Sequence, residues 1–297
     1  MSQDQTTPQD PKEQYPQPPF PEQDQEMPGS EQQMTPKPDH GQESYKGSGR
    51  LEGRVAVITG TDSGIGKAVA IAFAREGADV VISYLNEDED ARETQELVEQ
   101  AGRKALLIPG DISQEAHCQG ITQQTIDQFG KIDILVNNAA YQMSHQSIQE
   151  FTAAEIQHTY ATNVFSMFYL CKSALQHMQP GGSIINTCSV EAFKPEPYLL
   201  AYASTKAAIV NFTKGLAQQT AEQGIRVNSV APGPVWTPLI PGSMPPEQVS
   251  QFGQQSPLGR AAQPAELAPA YVFLGSQEAS YVTGETLGVH GGMPVGT

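Results

Sequence analysis

From Arg54 onward the sequence alternates short apolar runs with longer amphipathic segments, and this rhythm constrains the fold more than any other feature. Val and Ile dominate most of the runs with little apolar/polar alternation, which is typical of parallel strands covered on both faces. The alternation of strand and helix predicts an α/β fold in which helices cover both faces of one doubly wound parallel sheet. The predicted strands are Val55–Thr59, Asp79–Ser83, Ala105–Ile108, Ile132–Asn137, Ser183–Thr187, Arg226–Val230 and Glu285–Val289.

The segments between these strands carry helical signals. A spaced apolar stripe over residues 65–73 marks the first helix, which Gly77 ends. The stretch from Pro232 to Pro264 is rich in Pro and Gly and predicts a loop with short helices over the carboxyl edge of the sheet. Further helices are predicted over Gln114–Phe129, Glu155–Met178 and Tyr198–Gln223.

The first fifty residues differ from the rest, because they are dense in Gln, Pro, Asp and Glu and their large apolar residues are scattered. Such a segment offers too little apolar surface to offset its ordering entropy. We therefore expect a mobile or extended, partly polyproline-like arm over residues 1–50, followed by a single domain over residues 51–297. We also expect the arm to be dispensable for the fold and the chemical step. It can pack as an extended strap along a neighbouring subunit, so its removal should lower thermal stability or tetramer retention modestly if it changes either.

The chain of 297 residues carries 33 acidic and 17 basic side chains, a net charge of −16. This balance argues against nucleic acid and membrane surfaces as partners. We find no secretory signal and no long apolar stretch, and the three cysteines lie far apart, so we expect a cytoplasmic protein with reduced thiols. His158, His177 and His290 lack metal-ligand spacing, so we expect no metal and assign them to the surface or to packing.

A glycine-rich turn, Thr59–Gly66, directly follows the first strand and opens the first helix with the spacing G-x-x-x-G-x-G. Glycines there permit a tight turn and the close approach of a pyrophosphate to main-chain N–H groups at a helix N-terminus. An ordinary strand–helix turn could look similar. Its position after the first strand of an alternating chain favours a Rossmann-type dinucleotide site.

This spacing resembles that of the short-chain dehydrogenase/reductase family, and three later segments extend the resemblance over roughly residues 51–297. Asp111-Ile112 follows the third strand, Asn137–Ala140 ends the fourth, and Pro232–Thr237 follows the sixth. Ala140 stands where the family usually has Gly. The resemblance implies cofactor contacts at Gly60, Ser63, Gly64, Ile65, Gly66, Tyr84, Asp111, Ile112, Asn138, Ala139, Ala140, Tyr202, Lys206, Pro232, Gly233, Val235 and Thr237.

Tyr202 and Lys206 are four residues apart, which places them on one face of a predicted helix. Ser189 lies just past the preceding strand, and Asn163 lies within the long helix before it. These positions resemble the family's catalytic Asn-Ser-Tyr-Lys set. The resemblance implies that Tyr202 is the general acid/base and that Ser189 binds the substrate oxygen. It also implies that Lys206 binds the nicotinamide ribose, while Asn163 holds a water that links Lys206 to a proton relay.

The chemistry requires these residue types. Reduction of a carbonyl builds negative charge on oxygen, so an acid and a second hydrogen-bond donor are needed. Tyrosine has a reference pKa of about 10. We expect the nearby ammonium of Lys206 to lower the pKa of Tyr202.

The end of the second strand selects between cofactors in such folds. An acid there accepts from the ribose 2′-hydroxyl of NAD, whereas a base binds the 2′-phosphate of NADP. The family alignment places the neutral Tyr84 there, and the acidic run Glu87–Asp90 is assigned to capping the next helix. We therefore expect NADP or NAD as cofactor without ranking them.

The arm, Tyr84–Asn86 and Pro234–Leu239 most closely resemble a bacterial subgroup of stress-type oxidoreductases, glucose-dehydrogenase-like proteins and aldehyde reductases. The resemblance implies hydride transfer between nicotinamide and a small aldehyde, ketone or alcohol, by a homotetramer built from the long helices and the C-terminal strand. Sugar or polyol dehydrogenase and 3-oxoacyl-thioester reductase are alternatives. A non-catalytic nucleotide-binding or stress-interaction protein is an alternative from a different class.

Overall fold

The sheet is parallel throughout and doubly wound, as predicted. The computed structural model describes residues 5–293, in which seven strands pair in the order β3-β2-β1-β4-β5-β6-β7. The first four residues of the arm and the last four of the predicted domain lie outside the described residues. The strands are β1 Val55–Thr59, β2 Asp79–Tyr84, β3 Ala105–Pro109, β4 Ile134–Asn137, β5 Ser183–Thr187, β6 Arg226–Pro232 and β7 Thr286–Val289.

Helices cover both faces of this sheet. They are α1 Gly64–Arg75, α2 Asp88–Gln100, α3 Glu115–Phe129, α4 Ala153–Tyr160, α5 Ser166–Ala174, α6 Leu200–Thr220, α7 Pro246–Ser250 and α8 Pro264–Gly275. Ala56 and Ile58 of β1 pack in a core with α1, α2 and α8, whereas Val57 packs in a second core with α3, α5 and α6. Burial on both faces explains why the strand sequences do not alternate.

Two helices differ from the sequence prediction. The predicted helix Glu155–Met178 is two helices, α4 and α5, joined by a π-helical turn at Ala161–Phe165, and it ends at Ala174. Helix α8 was not predicted, and Pro264 was assigned to the end of the Pro- and Gly-rich loop. Pro264 in fact occupies the first turn, where proline is tolerated, and Gln263 and Glu266 form a capping box there.

The arm packs against the domain of its own chain, so the prediction that it buries little apolar surface was wrong. Tyr15, Phe20, Met34 and Tyr45 are all buried. Polar contacts also fix the arm. The hydroxyl of Tyr45, for example, donates a hydrogen bond of 2.6 Å to the buried carboxylate of Glu76, which caps the C-terminal end of α1. Prolines restrict the unfolded arm, so little entropy is lost when the four anchors dock.

Within residues 5–293, no helix is long and apolar enough to cross a membrane. In the same residues, no group of three or more His, Cys, Asp or Glu side chains is placed to hold a metal ion. The three cysteines, Cys118, Cys171 and Cys188, are free and buried.

Candidate active site

The glycine turn between β1 and α1 is shaped by close main-chain approaches. Gly60 has φ +62°, and a Cβ there would lie 2.9 Å from Cα of Ala139. A Cβ on Gly66 would lie 1.9 Å from the main-chain oxygen of Gly60. The turn can therefore close only with glycine at these positions, which leaves the N-terminus of α1 facing the carboxyl edge of the sheet.

Asn138, the residue directly after the neighbouring strand β4, braces the same turn. Its side-chain amide donates to the main-chain oxygens of Thr59 at 3.0 Å and of Gly60 at 3.1 Å. Its main-chain N–H donates to the Thr59 hydroxyl at 3.0 Å. β1 and β4 are the neighbours at which the strand order reverses, where open α/β sheets form their ligand crevice.

A cleft of about 390 Å³ lies at this edge of the sheet and brings the predicted residues together. Most of the predicted cofactor and catalytic residues line it. Gly66 and Asn163 do not, because Gly66 packs against the turn and Asn163 lies behind the cleft wall. The lining residues predicted from the sequence are Gly60, Ser63, Gly64, Ile65, Tyr84, Asp111, Ile112, Asn138, Ala139, Ala140, Ser189, Tyr202, Lys206, Pro232, Gly233, Val235 and Thr237.

Tyr202 and Lys206 lie on the buried face of α6, and the Lys206 ammonium is 5.2 Å from the centroid of the Tyr202 ring. Burial raises the pKa of the Tyr202 phenol well above its usual range, and a hydrogen bond with Ser189 opposes that rise. Burial also lowers the pKa of Lys206, to about 8. Any lowering of the Tyr202 pKa by Lys206 does not offset burial here, and the ammonium donates to the main-chain oxygen of Thr187 at 2.9 Å rather than to the phenol.

Asn163 lies in the π-helical turn and is committed to neighbouring groups. Its side-chain oxygen accepts from the main-chain N–H of Tyr141 at 2.7 Å. Its side-chain nitrogen donates to the Tyr141 oxygen at 2.9 Å and to the Thr205 hydroxyl at 3.1 Å. The side chain therefore holds the segment after β4 against α6, which carries Tyr202.

The part of the cleft next to the ends of β2 and β3 carries Tyr84 and Asp111. Two hydrogen bonds from Ser113 hold the Asp111 carboxylate, and they outweigh burial to lower its pKa. The Tyr84 hydroxyl donates to Asp88 at 2.8 Å. Burial and this carboxylate raise the pKa of Tyr84 to about 12.

Comparison with known proteins agrees with this geometry. Residues 60–294 match the family described as enoyl-(acyl carrier protein) reductase. The uncharacterized oxidoreductase YghA of Escherichia coli is 51% identical over 289 residues, which covers 97% of this chain and 98% of its own. The chain belongs to the short-chain dehydrogenase/reductase family.

Two further members of the family add to this. The glucose and ribitol dehydrogenase of Daucus carota is 45% identical over 280 residues, covering 92% of this chain and 96% of its own. The crystal structure of a short chain dehydrogenase from Burkholderia cenocepacia J2315 in complex with NADP has a TM-score of 0.77 at 30% identity. It covers 82% of this chain but 98% of its own, and the uncovered part of this chain is about as long as the arm.

This short-chain dehydrogenase/reductase is an NAD(P)-dependent oxidoreductase, as its sequence predicted, because related structures hold NADP or NAD. The described residues fit such a cofactor. The glycine cradle has space only where Cβ atoms are missing, and the N-terminus of α1 opens toward the cleft. If the implied contacts hold, Gly60, Ser63, Gly64 and Ile65 would hold the pyrophosphate, Asp111 and Ile112 the adenine, and Lys206 the nicotinamide ribose.

Several cleft residues were missed from the sequence. Met27, Pro28 and Gly29 of the arm line the cleft, although their composition indicated a segment detached from the domain. His158, which we assigned to the surface or to packing, packs edge-on against the Tyr141 ring and also lines the cleft. Glu191 was recognisable only by its place two residues after Ser189.

Proposed function

We propose that the protein reduces small aldehydes and ketones, and oxidises the corresponding alcohols, with Tyr202 as the general acid/base. The convergence of Tyr202, Ser189 and Lys206 in one cleft beside the glycine turn carries this proposal. A non-catalytic nucleotide-binding protein would have no need of this arrangement. A dehydrogenase needs a proton donor and a second hydrogen-bond donor at the reacting oxygen.

Each residue has a role that its position supports. Bound nicotinamide supplies the hydride for reduction and takes it up in oxidation. The Tyr202 hydroxyl gives its proton to the carbonyl oxygen as the carbon is reduced, while the Ser189 hydroxyl donates a hydrogen bond to that oxygen. Lys206 balances the negative charge left on Tyr202. Asn163 positions α6 through its hydrogen bond to Thr205. Because its side chain is already bonded to Tyr141 and Thr205, only the main chain of Asn163 would be free to bind a relay water.

The substrate end of the cleft is mixed in character. Apolar side chains from the loop before α8 form one wall, which favours a small carbonyl compound with an apolar body. These are Leu239, Ile240, Met244 and Phe252.

Three polar side chains, Gln142, Glu191 and Glu196, also line the cleft. Carboxylates there can accept hydrogen bonds from hydroxyl groups. They therefore favour a sugar or polyol as the second candidate substrate, in line with the name of the carrot relative. The net charge of −16 offers little attraction to an acidic acyl carrier, which makes 3-oxoacyl-thioester reduction the weaker alternative.

A turnover screen tests the proposal. Purified protein is assayed with NADPH and NADH against short aldehydes and ketones, and with NADP and NAD against polyols and sugars. Tyr202→Phe is run in parallel as the chemical control. Reduction of simple carbonyls that is lost in Tyr202→Phe supports the proposal. Turnover of polyols alone supports the second candidate, and no turnover with any substrate supports the non-catalytic alternative.

We further propose a cytoplasmic homotetramer. Large apolar side chains stand exposed on α4, on the π-helical turn and on α5, where the sequence predicted a subunit contact. They are Ile156, Phe165 and Phe168. Tyr281, close to β7, is fully exposed as well. Exposed apolar clusters of this kind mark association surfaces, and light scattering of the purified protein measures the assembly.

A further inference from the structure

The arm crosses the cleft and is built into its wall. Met27, Pro28 and Gly29 line the cleft, and a Cβ on Gly29 would lie 2.5 Å from the main-chain oxygen of Pro238. Before this crossing, two main-chain hydrogen bonds join the arm to the substrate loop. The N–H of Phe20 donates to the oxygen of Ser250 at 2.8 Å. Gln25 donates to Pro241 at 3.0 Å. These contacts hold the arm against the substrate loop where it lines the cleft.

Directly after this crossing, the arm sends Glu31 into the glycine turn. One carboxylate oxygen of Glu31 accepts a hydrogen bond of 2.7 Å from the main-chain N–H of Gly64, the first residue of α1. The other oxygen accepts one of 2.9 Å from the ammonium of Lys67, one helical turn along. Glu31 is 5% exposed, and among the described residues it is not part of the cleft lining. It therefore supports the turn from behind and leaves the face toward the cleft open.

The surroundings of Glu31 hold it in place. The imidazole of His40 lies 2.5 Å from the Glu31 carboxylate. The main-chain N–H of Glu31 donates to the carboxylate of Asp90, in α2, at 3.2 Å. Lys67 is also buried and pairs with Glu93 at 3.0 Å. Burial alone would raise the pKa of Glu31, but His40 and Lys67 outweigh it and lower that pKa to about 2, so the carboxylate is charged at neutral pH.

A negative charge at the start of a helix is favourable, and a carboxylate that accepts a main-chain N–H fixes the direction of that N–H. Fixing Gly64 also fixes the next N–H groups, which are those that a pyrophosphate needs. We propose that Glu31 is a positioning residue that the arm inserts behind the glycine turn to hold it in its cofactor-binding shape. This inference rests on the proposed function only in that the cleft binds NAD(P).

The test compares Glu31→Ala and Glu31→Gln with Glu26→Ala, an exposed acid on the same arm. NADPH and NADH affinities are measured by fluorescence titration, and steady-state kinetics separate kcat from the cofactor KM. We expect Glu31→Ala to raise the cofactor Kd and KM by about tenfold or more, with kcat at saturating cofactor within about threefold of wild type. Glu31→Gln keeps an acceptor for Gly64, so its Kd should lie between those of Glu31→Ala and wild type. Glu26→Ala should match wild type.

The inference is overturned if folded Glu31→Ala binds cofactor as wild type does, or if it loses kcat with an unchanged Kd. Should Glu31→Ala fail to fold, Glu31→Gln decides, because a wild-type Kd in that variant contradicts the positioning role. If wild type binds neither cofactor, both this inference and the proposed function fail. If wild type binds cofactor but turns over no substrate, only the proposed function fails, since the Kd comparison still decides the role of Glu31.

Discussion

The ammonium nitrogen of Lys206 donates a hydrogen bond of 2.9 Å to the main-chain oxygen of Thr187. Thr187 ends β5 two residues before Ser189, so this bond ties α6 to the strand that leads into Ser189. The Thr187 hydroxyl is itself hydrogen-bonded to that of Tyr271 in α8, at 2.8 Å. Because Tyr202 lies one turn before Lys206, the Lys206–Thr187 bond holds Tyr202 near Ser189, the two residues that we propose to contact the substrate oxygen.

The reductive reaction should lose activity above about pH 8, where the buried Lys206 loses its charge. The sign follows from two pKa shifts. The raised pKa of Tyr202 keeps its proton available, whereas the lowered pKa of Lys206 removes the ammonium as the pH rises through that value. We expect kcat/KM to be flat below that pH and to fall by about tenfold per pH unit above it. A profile that stays flat through about pH 10 at saturating cofactor would contradict this.

Replacement of the phenol should separate chemistry from binding. Tyr202→Phe removes the proton donor but keeps the ring, so kcat should fall by about 10²–10⁴-fold while the cofactor Kd stays within about twofold. Tyr281→Phe, on a fully exposed ring, serves as the control and should leave both unchanged. Near-normal turnover by Tyr202→Phe on a validated substrate removes Tyr202 from its assigned role.

The sheet was predictable because two-sided burial leaves a direct trace in sequence. In β1, Ala56 and Ile58 face one core and Val57 the other, so the strand must be apolar at every position. The break between α4 and α5 left no such trace, since no Pro or Gly interrupts the segment. It coincides with Asn163, whose side chain bonds the Tyr141 main chain, and that contact becomes visible only once the elements are assembled.

The candidate site likewise contains some residues that the sequence predicted and others that it did not. Spacing, position in the alternating chain and resemblance to the family together pointed to the Tyr202–Lys206 pair and to the glycine turn. The arm was misread because we assumed that a segment must supply its own packing partners. Its partner is Trp236, whose indole N–H donates to the oxygen of Pro36, 200 residues away in sequence. Glu31 likewise looked like one acid among many, and only Gly64 and Lys67 distinguish it.

Cofactor choice should respond to residue 84. Tyr84→Asp places a carboxylate at the end of β2, where it would repel the 2′-phosphate of NADP and accept from the free hydroxyl of NAD. We expect the ratio of kcat/KM for NADH over NADPH to rise by about tenfold or more. Tyr84→Phe is the matched control, since it removes the bond to Asp88 without adding charge. An unchanged ratio in Tyr84→Asp means that residue 84 does not face the ribose.

The docking of the arm has a built-in spectroscopic probe. Trp236 is the one tryptophan of the chain and is fully buried. The Phe20 ring packs on it with a centroid distance of 4.3 Å, and Met34 belongs to the same cluster. Trp236 also lies next to Thr237, which lines the cleft, so a loose arm disturbs the cofactor site as well.

Deleting residues 1–45 should therefore cost more than the modest stability loss that the sequence suggested. It removes four buried anchors, each worth roughly 1.5–3 kcal/mol of burial, so the free energy of unfolding should fall by several kcal/mol. The emission of Trp236 should shift to the red, because the deletion exposes its ring to water. Phe20→Ala should reproduce the shift at a cost of about 3 kcal/mol. Phe165→Ala, on a half-exposed ring outside this cluster, should leave the emission unchanged. Wild-type emission and an unchanged urea midpoint in the truncated protein would mean that the arm is not docked in solution.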